Sequence, residues 1–266
     1  QLNKLKISSY HLVDFLKFLE SESFKKGFSK DNFMFATHPN YTERLDLISK
    51  FSKNKTKKYD KNLNNRLNFI KAKLFAYTEN KTNSLENLFK DEYLDYGQSI
   101  ILSNNGKLYE SLKIIKKLIS KFPDNPYFYE NKADILYNHG YTNESMEFYK
   151  ISISLNENNY YIKKRLFEIE YENIDLNNNK DLDNFISEYI DLLYLFSKDM
   201  LFLQRWEKLF ISKEDINFLT FVLAKIDIIN REFEIAKIKL EIVTKDSKNK
   251  KLKKNAYKLI RKLDNE

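Results

Sequence analysis

The chain has three histidines, His11, His38 and His139, and no cysteine. These and its carboxylates are the residues from which a metal or nucleophilic site could be built. No two histidines stand four apart, so no helix can present an H-E-x-x-H pair to one metal with Glu as general base. The string Glu130-Asn131-Lys132-Ala133-Asp134 matches the E-x-x-A-D pattern that supplies a third ligand in such enzymes. No histidine pair precedes it, and Ala133 falls at a small packing position of a helical repeat, so it reads as structural. His139 precedes Gly140 and suits a helix C-terminus, where its partial charge meets the dipole favourably. His38 sits in the apolar-flanked turn Thr37-His38-Pro39, the one unusual setting among the three. Without cysteine, disulfides, thiolate zinc sites and thiol nucleophiles are excluded. The four scattered glycines cannot form a phosphate-cradling or nucleophile-elbow motif.

The elements around these residues read as helices. Few Gly and Pro punctuate 266 residues rich in Leu, Ile, Lys, Glu and Asn, and nothing alternates with period two long enough to demand a sheet. Leu12, Phe15, Leu16 and Leu19 fall on one helical face. Thr42 can cap a further helix through Arg44, Leu45, Leu47, Ile48 and Phe51. The polar stretch 52–58 reads as a linker, and Leu67, Ile70, Leu74 and Tyr77 again share a face. From about residue 90 the chain repeats. Gly106 and Gly140 lie 34 residues apart, as do Ser111 and Ser145, which is the period of the tetratricopeptide hairpin. A second signal is the 12-residue spacing of small positions, Ser99 to Ser111, Ala133 to Ser145 and Ala224 to Ala236. The unit at about 160–196 is degenerate, with Asn177-Asn178-Asn179 at its turn. The fold expected is all-α: a tetratricopeptide-like solenoid over 90–266, behind a linker and connecting helix over 53–89 and a short non-repeat segment over 1–52.

In that register one helix face of the first two hairpins carries Tyr93, Tyr96, Ile100, Tyr127, Glu130, Asp134 and Tyr137, a Tyr-rich surface suited to protein or peptide partners. The same tyrosines could instead pack between repeats. The formal charge of +8 comes from Lys spread along the chain, with no recognisable nucleic-acid module, so no nucleic-acid partner is expected. The Lys-rich tail 245–262 is interleaved with Leu252, Leu259 and Ile260 and reads as the solvated face of a capping helix. No apolar run approaches the roughly 18 residues that span a bilayer, and residues 1–4 do not open a signal peptide. A first residue other than Met suggests a fragment or a processed product.

Several strings together resemble the BepA-like, HtpX-related zinc metallopeptidases. Phe35-Ala36-Thr37-His38-Pro39-Asn40-Tyr41-Thr42-Glu43-Arg44 is similar to the T-H-P-x-x-x-x-R stretch that closes their peptidase domain. Phe69-Ile70-Lys71-Ala72-Lys73-Leu74 is similar to the helix leading into their repeats. Phe122-Pro123-Asp124-Asn125-Pro126-Tyr127 through Glu130, with Gly140 and Ser145, resembles their repeat, and the order along the chain agrees. The resemblance implies that residues 1–52 are the C-terminal remnant of a zinc-peptidase domain. It also implies a periplasmic parent that is a zinc-dependent endopeptidase and chaperone acting on envelope-assembly proteins. The family's H-E-x-x-H and E-x-x-A-D motifs precede the T-H-P turn and are absent here, so this chain alone is expected to hold no zinc and to hydrolyse nothing. By resemblance, His38 is a regulatory zinc ligand of the parent, closing the metal's open position. The rival reading is a stand-alone repeat scaffold without enzymatic ancestry.

Overall fold

The computed structural model describes residues 10–25, 45–48, 61–79, 82–196 and 198–265. The T-H-P string with His38 and the 52–58 linker lie outside the described residues. The chain divides into two compact units, Gln1–Asn68 and Phe69–Glu266. Among the described residues every regular element is a helix and none is a strand.

In the first unit, helix α1 (Tyr10–Lys25) buries Val13 and Leu16, while Leu12 and Phe15 face out. The expected stripe is thus displaced by one residue. Val13 and Leu16 are also spaced i, i+3, so periodicity alone allows either side. Residues 45–48 are helical. Helix α2 (Lys61–Glu79) straddles the division between the units.

The second unit continues with α3 (Thr82–Leu88), α4 (Asp91–Asn104), α5 (Leu108–Lys121), α6 (Pro126–Asn138) and α7 (Thr142–Leu155). Then follow α8 (Tyr160–Tyr171), α9 (Asn179–Leu195), α10 (Met200–Ser212), α11 (Ile216–Ile229), α12 (Phe233–Asp246) and α13 (Lys250–Leu263). The Asn and Asp content starts these helices. The side chains of Asn125, Asn159, Asn178, Asp199, Asp215 and Asn249 each accept from a main-chain N–H two or three residues on. Pro126 occupies the first turn of α6, where its missing N–H costs nothing.

Successive helices pack against each other as hairpins, with small residues at the contact. Ser99, Ser111, Ala133, Ser145, Ala224 and Ala236 are fully buried, and the Ser111 hydroxyl donates to the Ser99 carbonyl at 2.7 Å across α4 and α5. Three of the joining turns are equivalent. Gly106, Gly140 and Arg231 have φ of 76°, 84° and 66°, at the same offset after Ser99, Ala133 and Ala224. Each turn closes through a hydrogen bond back into the helix: Lys107 N to Leu102 O, Tyr141 N to Leu136 O and Glu232 N to Asp227 O. Glu214, with φ 55°, makes a fourth such turn, with Asp215 N bonded to Phe210 O. Glycine occupies the left-handed position in two of the four; Glu214 and Arg231 hold it against the clash of their Cβ.

Two cores run along the unit. In one, Tyr96, Ile100, Ile115 and Phe128 pack with Leu85 and Ala76; in the other, Trp206 stacks between Phe167 and Phe210 at 5.2 and 5.4 Å. Leu85 of α3 and the Ala72 carbonyl of α2 crowd Gly97 so closely that a Cβ there would meet Leu85 at 2.7 Å. Any larger residue at this position would force the Leu85 methyls to move. The face Leu67, Ile70, Leu74 and Tyr77 of α2 exists as a stripe but is exposed; Ala72 and Ala76 form the buried side.

Opposite changes at two turns test this description. Gly140→Ala, which forces a Cβ into the left-handed region, should cost about 1–2 kcal/mol. Glu214→Gly should gain up to about 1 kcal/mol, the relieved clash exceeding the added chain entropy. Urea midpoints that shift in the same direction for both would contradict the shared turn geometry. Ala133→Leu should overpack α6 against α7 and cost about 1–3 kcal/mol in the same assay.

Candidate functional site

Helices α4, α6, α8 and α10 follow one another side by side, joined by named polar contacts. Asn131 of α6 donates to Ser99 Oγ of α4 at 2.8 Å, Asn159 before α8 donates to Glu130 Oε2 at 3.1 Å, and Arg205 of α10 pairs with Glu172 after α8 at 3.1 Å. The residues expected to bind partners lie along the start of this row, and much of it is covered by the chain's own α2.

Phe69 packs edge-on to Tyr93 at 4.7 Å and to Tyr96 at 5.7 Å, and also touches Phe128 at 5.3 Å. One turn on, Lys73 Nζ pairs with Glu130 Oε1 at 2.7 Å. One further turn on, Tyr77 lies within the electrostatic reach of Asp134. Phe69 and Lys73 are spaced i, i+4, so a single helix edge meets the Tyr93–Tyr96 and Glu130 positions in turn. Tyr96 and Ile100 are only 2% exposed and belong to the core. Their rings and methyls fill the space between α4 and its neighbours and present nothing to solvent. Tyr127 is exposed at the start of α6, and Tyr137 is half-buried under the Arg165 guanidinium at 5.3 Å.

The charges here are engaged. Burial opposes the Lys73 ammonium, but Tyr96 and Glu130 beside it outweigh this and hold its pKa above the ordinary lysine value. Burial pushes the Asp134 carboxyl up from 3.8, partly offset by the Tyr149 hydroxyl that donates to it at 2.6 Å. Burial, then the same carboxylate, pushes the Tyr149 phenol up as well. Both Glu130 oxygens and one Asp134 oxygen are therefore spent on hydrogen bonds, and His139 shares its Nε2 with the Ser103 hydroxyl and carbonyl at 3.3 and 3.2 Å. Among the described residues no three His, Asp or Glu side chains converge as a metal site.

The row opens beyond α6. Tyr137, Arg165, Glu168, Glu172 and Arg205 line a depression of about 590 Å³ between α6, α8 and α10. A second of about 640 Å³ continues from Glu172 and Arg205 past Tyr171 to Leu201 and Ile211. Two guanidiniums, two carboxylates and two tyrosine rings thus share one exposed strip, with Arg205 near the Tyr171 ring at 5.6 Å and Glu168 at 3.9 Å. The sequence reading placed no site residue beyond Tyr137. The signal it passed over is the string Arg165, Glu168 and Glu172 at i, i+3 and i+7, a charged stripe on a helix whose opposite side buries Leu166 and Phe167.

Two measurements probe the covered part of the row. Glu130→Ala strips Lys73 and Asn159 of a shared acceptor and should cost about 1–3 kcal/mol. Asp134→Asn should not destabilise at neutral pH. A carboxyl with a raised folded pKa contributes stability below its unfolded pKa and loses it as pH climbs through the folded value. The wild type should therefore lose stability between these values relative to Asp134→Asn, as read from melting temperature against pH; parallel curves would contradict the burial of this carboxyl. No family model matches the chain, and no curated protein matches it.

Proposed function

We propose that the Phe69–Glu266 unit is a protein-docking platform. In this reading the whole chain is the C-terminal region of a periplasmic, BepA-like zinc metalloendopeptidase and chaperone, binding protein substrates or envelope-assembly partners without catalysing hydrolysis itself. The observation that carries the docking function is the open strip Tyr137–Arg165–Glu168–Glu172–Arg205 on adjacent helices. An extended polypeptide offers carbonyls, carboxylates and N–H groups at short intervals. Planar guanidiniums with alternating carboxylates and tyrosine rings meet all of these while the helices keep them in fixed positions. The peptidase ancestry rests on the T-H-P-x-x-x-x-R resemblance, and the zinc would belong to the parent's own ligands.

Fluorescence anisotropy with labelled, reduced and carboxymethylated α-lactalbumin tests the docking strip. Arg165→Ala combined with Arg205→Ala should weaken binding at least fivefold, whereas Tyr109→Ala, at an exposed position on α5, should leave it unchanged. Equal binding by all three proteins would retire the strip. The ancestry has its own test. An in-frame H-E-x-x-H helix encoded ahead of Gln1 would support it, and in that longer product His38→Ala should raise proteolysis while metal content holds, because water returns to the fourth zinc position. Lower activity together with lower stability would instead make His38 a packing residue.

A further inference from the structure

Lysine is spread along the chain, but its uncompensated excess is not. Of the 46 basic and 38 acidic groups in the chain, nine and one fall within residues 245–262, leaving 37 of each sign for the other 248 residues. The net charge of this short segment is thus +8, equal to that of the whole chain. Asp264, just beyond it, is taken by Lys237 of α12 at 2.6 Å. Most of the segment is α13, and its apolar side is fixed. Leu252 and Ala256 are buried, and Leu259, Ile260 and Leu263 pack on the same core. Another side of the helix carries Lys250, Lys253, Lys254, Tyr257, Lys258 and Arg261, with no Asp or Glu among the described residues lining the surface they share.

These positions follow one another at i, i+3, i+4, i+7, i+8 and i+11, one straight stripe roughly 16 Å long at a rise of about 1.5 Å per residue. Lys250, Lys254, Lys258 and Arg261 are exposed and in no ion pair among the described residues. Lys251 on the flank is held by Asp191, and Lys253 reaches the Lys245 carbonyl at 3.3 Å. Helix energetics disfavour the pattern. Lys250, Lys251 and Lys253 put cations against the macrodipole in a first turn that holds no acid, and Lys250, Lys254 and Lys258 set like charges four apart. The first turns of α4, α5, α7, α9 and α12 each hold an acid instead.

We propose that this face of α13 is an electrostatic docking surface for a bilayer rich in anionic phospholipid. Such a surface asks for several cations presented together and for no shaped pocket, and each cation near it strengthens adsorption about fivefold. The Lys stems keep their ammoniums in water, and the exposed Tyr257 ring suits the headgroup layer, apolar in body and polar at its tip. An acidic protein partner matches less well, because protein interfaces centre on buried aromatic or apolar anchors and this stripe has one ring. A nucleic-acid strand also matches less well, since stacking needs successive rings and base readout leans on Arg, of which the stripe has one. The apolar side of α13 is taken by the core, so the helix stays on the protein and attachment is by charge. The surface rests on neither the α6–α8–α10 strip nor the peptidase resemblance.

Co-sedimentation of the whole chain with sucrose-loaded vesicles tests it. Vesicles of equal phosphatidylcholine and phosphatidylglycerol should bind the chain, and pure phosphatidylcholine at least tenfold more weakly. Raising sodium chloride from about 0.1 M to about 1 M shortens the Debye length from about 10 Å to about 3 Å and should release it. Lys254→Gln combined with Lys258→Gln should weaken binding at least tenfold, with an unchanged or raised melting temperature because a like-charge pair is removed. Lys113→Gln combined with Lys116→Gln, the same charge loss at exposed positions of α5, should bind like the wild type. Equal binding to neutral vesicles, binding that survives the salt, or equal weakening by the two double variants would overturn the assignment. So would tighter binding, per anionic group, to oligothymidylate or poly-L-glutamate than to the vesicles.

Discussion

The close approach of paired helices at small side chains is the constraint on which the solenoid depends. Where Ser99 faces Ser111, Ala133 faces Ser145 and Ala224 accompanies Ala236, nothing larger than a hydroxyl separates the backbones, and all six are fully buried. That approach sets the turn: a helix that must return within a few residues needs one residue in the left-handed region, which Gly106 and Gly140 supply and Arg231 is made to supply. It also creates the wedge-shaped space that Tyr149 fills with its ring while its hydroxyl reaches Asp134. Aromatic rings then carry the packing onward, from Phe128 in the first core to the Phe167–Trp206–Phe210 stack in the second.

The second organising feature is the use of the chain's own helix to cover part of a repeat face. From Phe69 to Tyr77, α2 offers a ring, an ammonium and a phenol in register with the positions that a tetratricopeptide groove would turn towards a ligand. The Gly97 notch lets Ala72 and Leu85 come down onto α4, so the cover is tightly fitted. In consequence the face divides. Its first part is core and buried ion pair, where removing one partner leaves the other in low dielectric. Its later part, from Tyr137 to Arg205, is partly open to water, and its ion pairs are screened and individually weak.

Electrostatics follow the same division. Some Lys residues near the surface find carboxylates on neighbouring helices, as in Lys117–Asp95, Lys150–Glu170 and Lys239–Asp227 at 2.7–2.9 Å. Five other cations, Lys250, Lys253, Lys254, Lys258 and Arg261, gather with Tyr257 along α13. Lys225 of α11 differs in kind, because its buried ammonium donates to the Leu193 main-chain carbonyl.

By itself the sequence determined the helical class, the hairpin repeat and its register. The 34- and 12-residue spacings repeat the geometry of one local unit, and the Asn and Asp residues that begin the helices act on N–H groups only a few positions away. Local information of this kind is legible because its partners are close in the chain. Tertiary structure alone decided which faces are buried. The stripe Leu67, Ile70 and Leu74 has regular helical spacing and still faces outward, while Ala72 and Ala76 on the other side are buried, with the Ala72 carbonyl lying beside Gly97. Tyr96, Ile100 and Glu130 occupy ligand-facing positions by register, yet α2, some 57 residues from Glu130 at Lys73, reaches them first. A repeat period fixes where a side chain points from its own helix. What that side chain meets depends on contacts between segments far apart in the chain, which no spacing encodes.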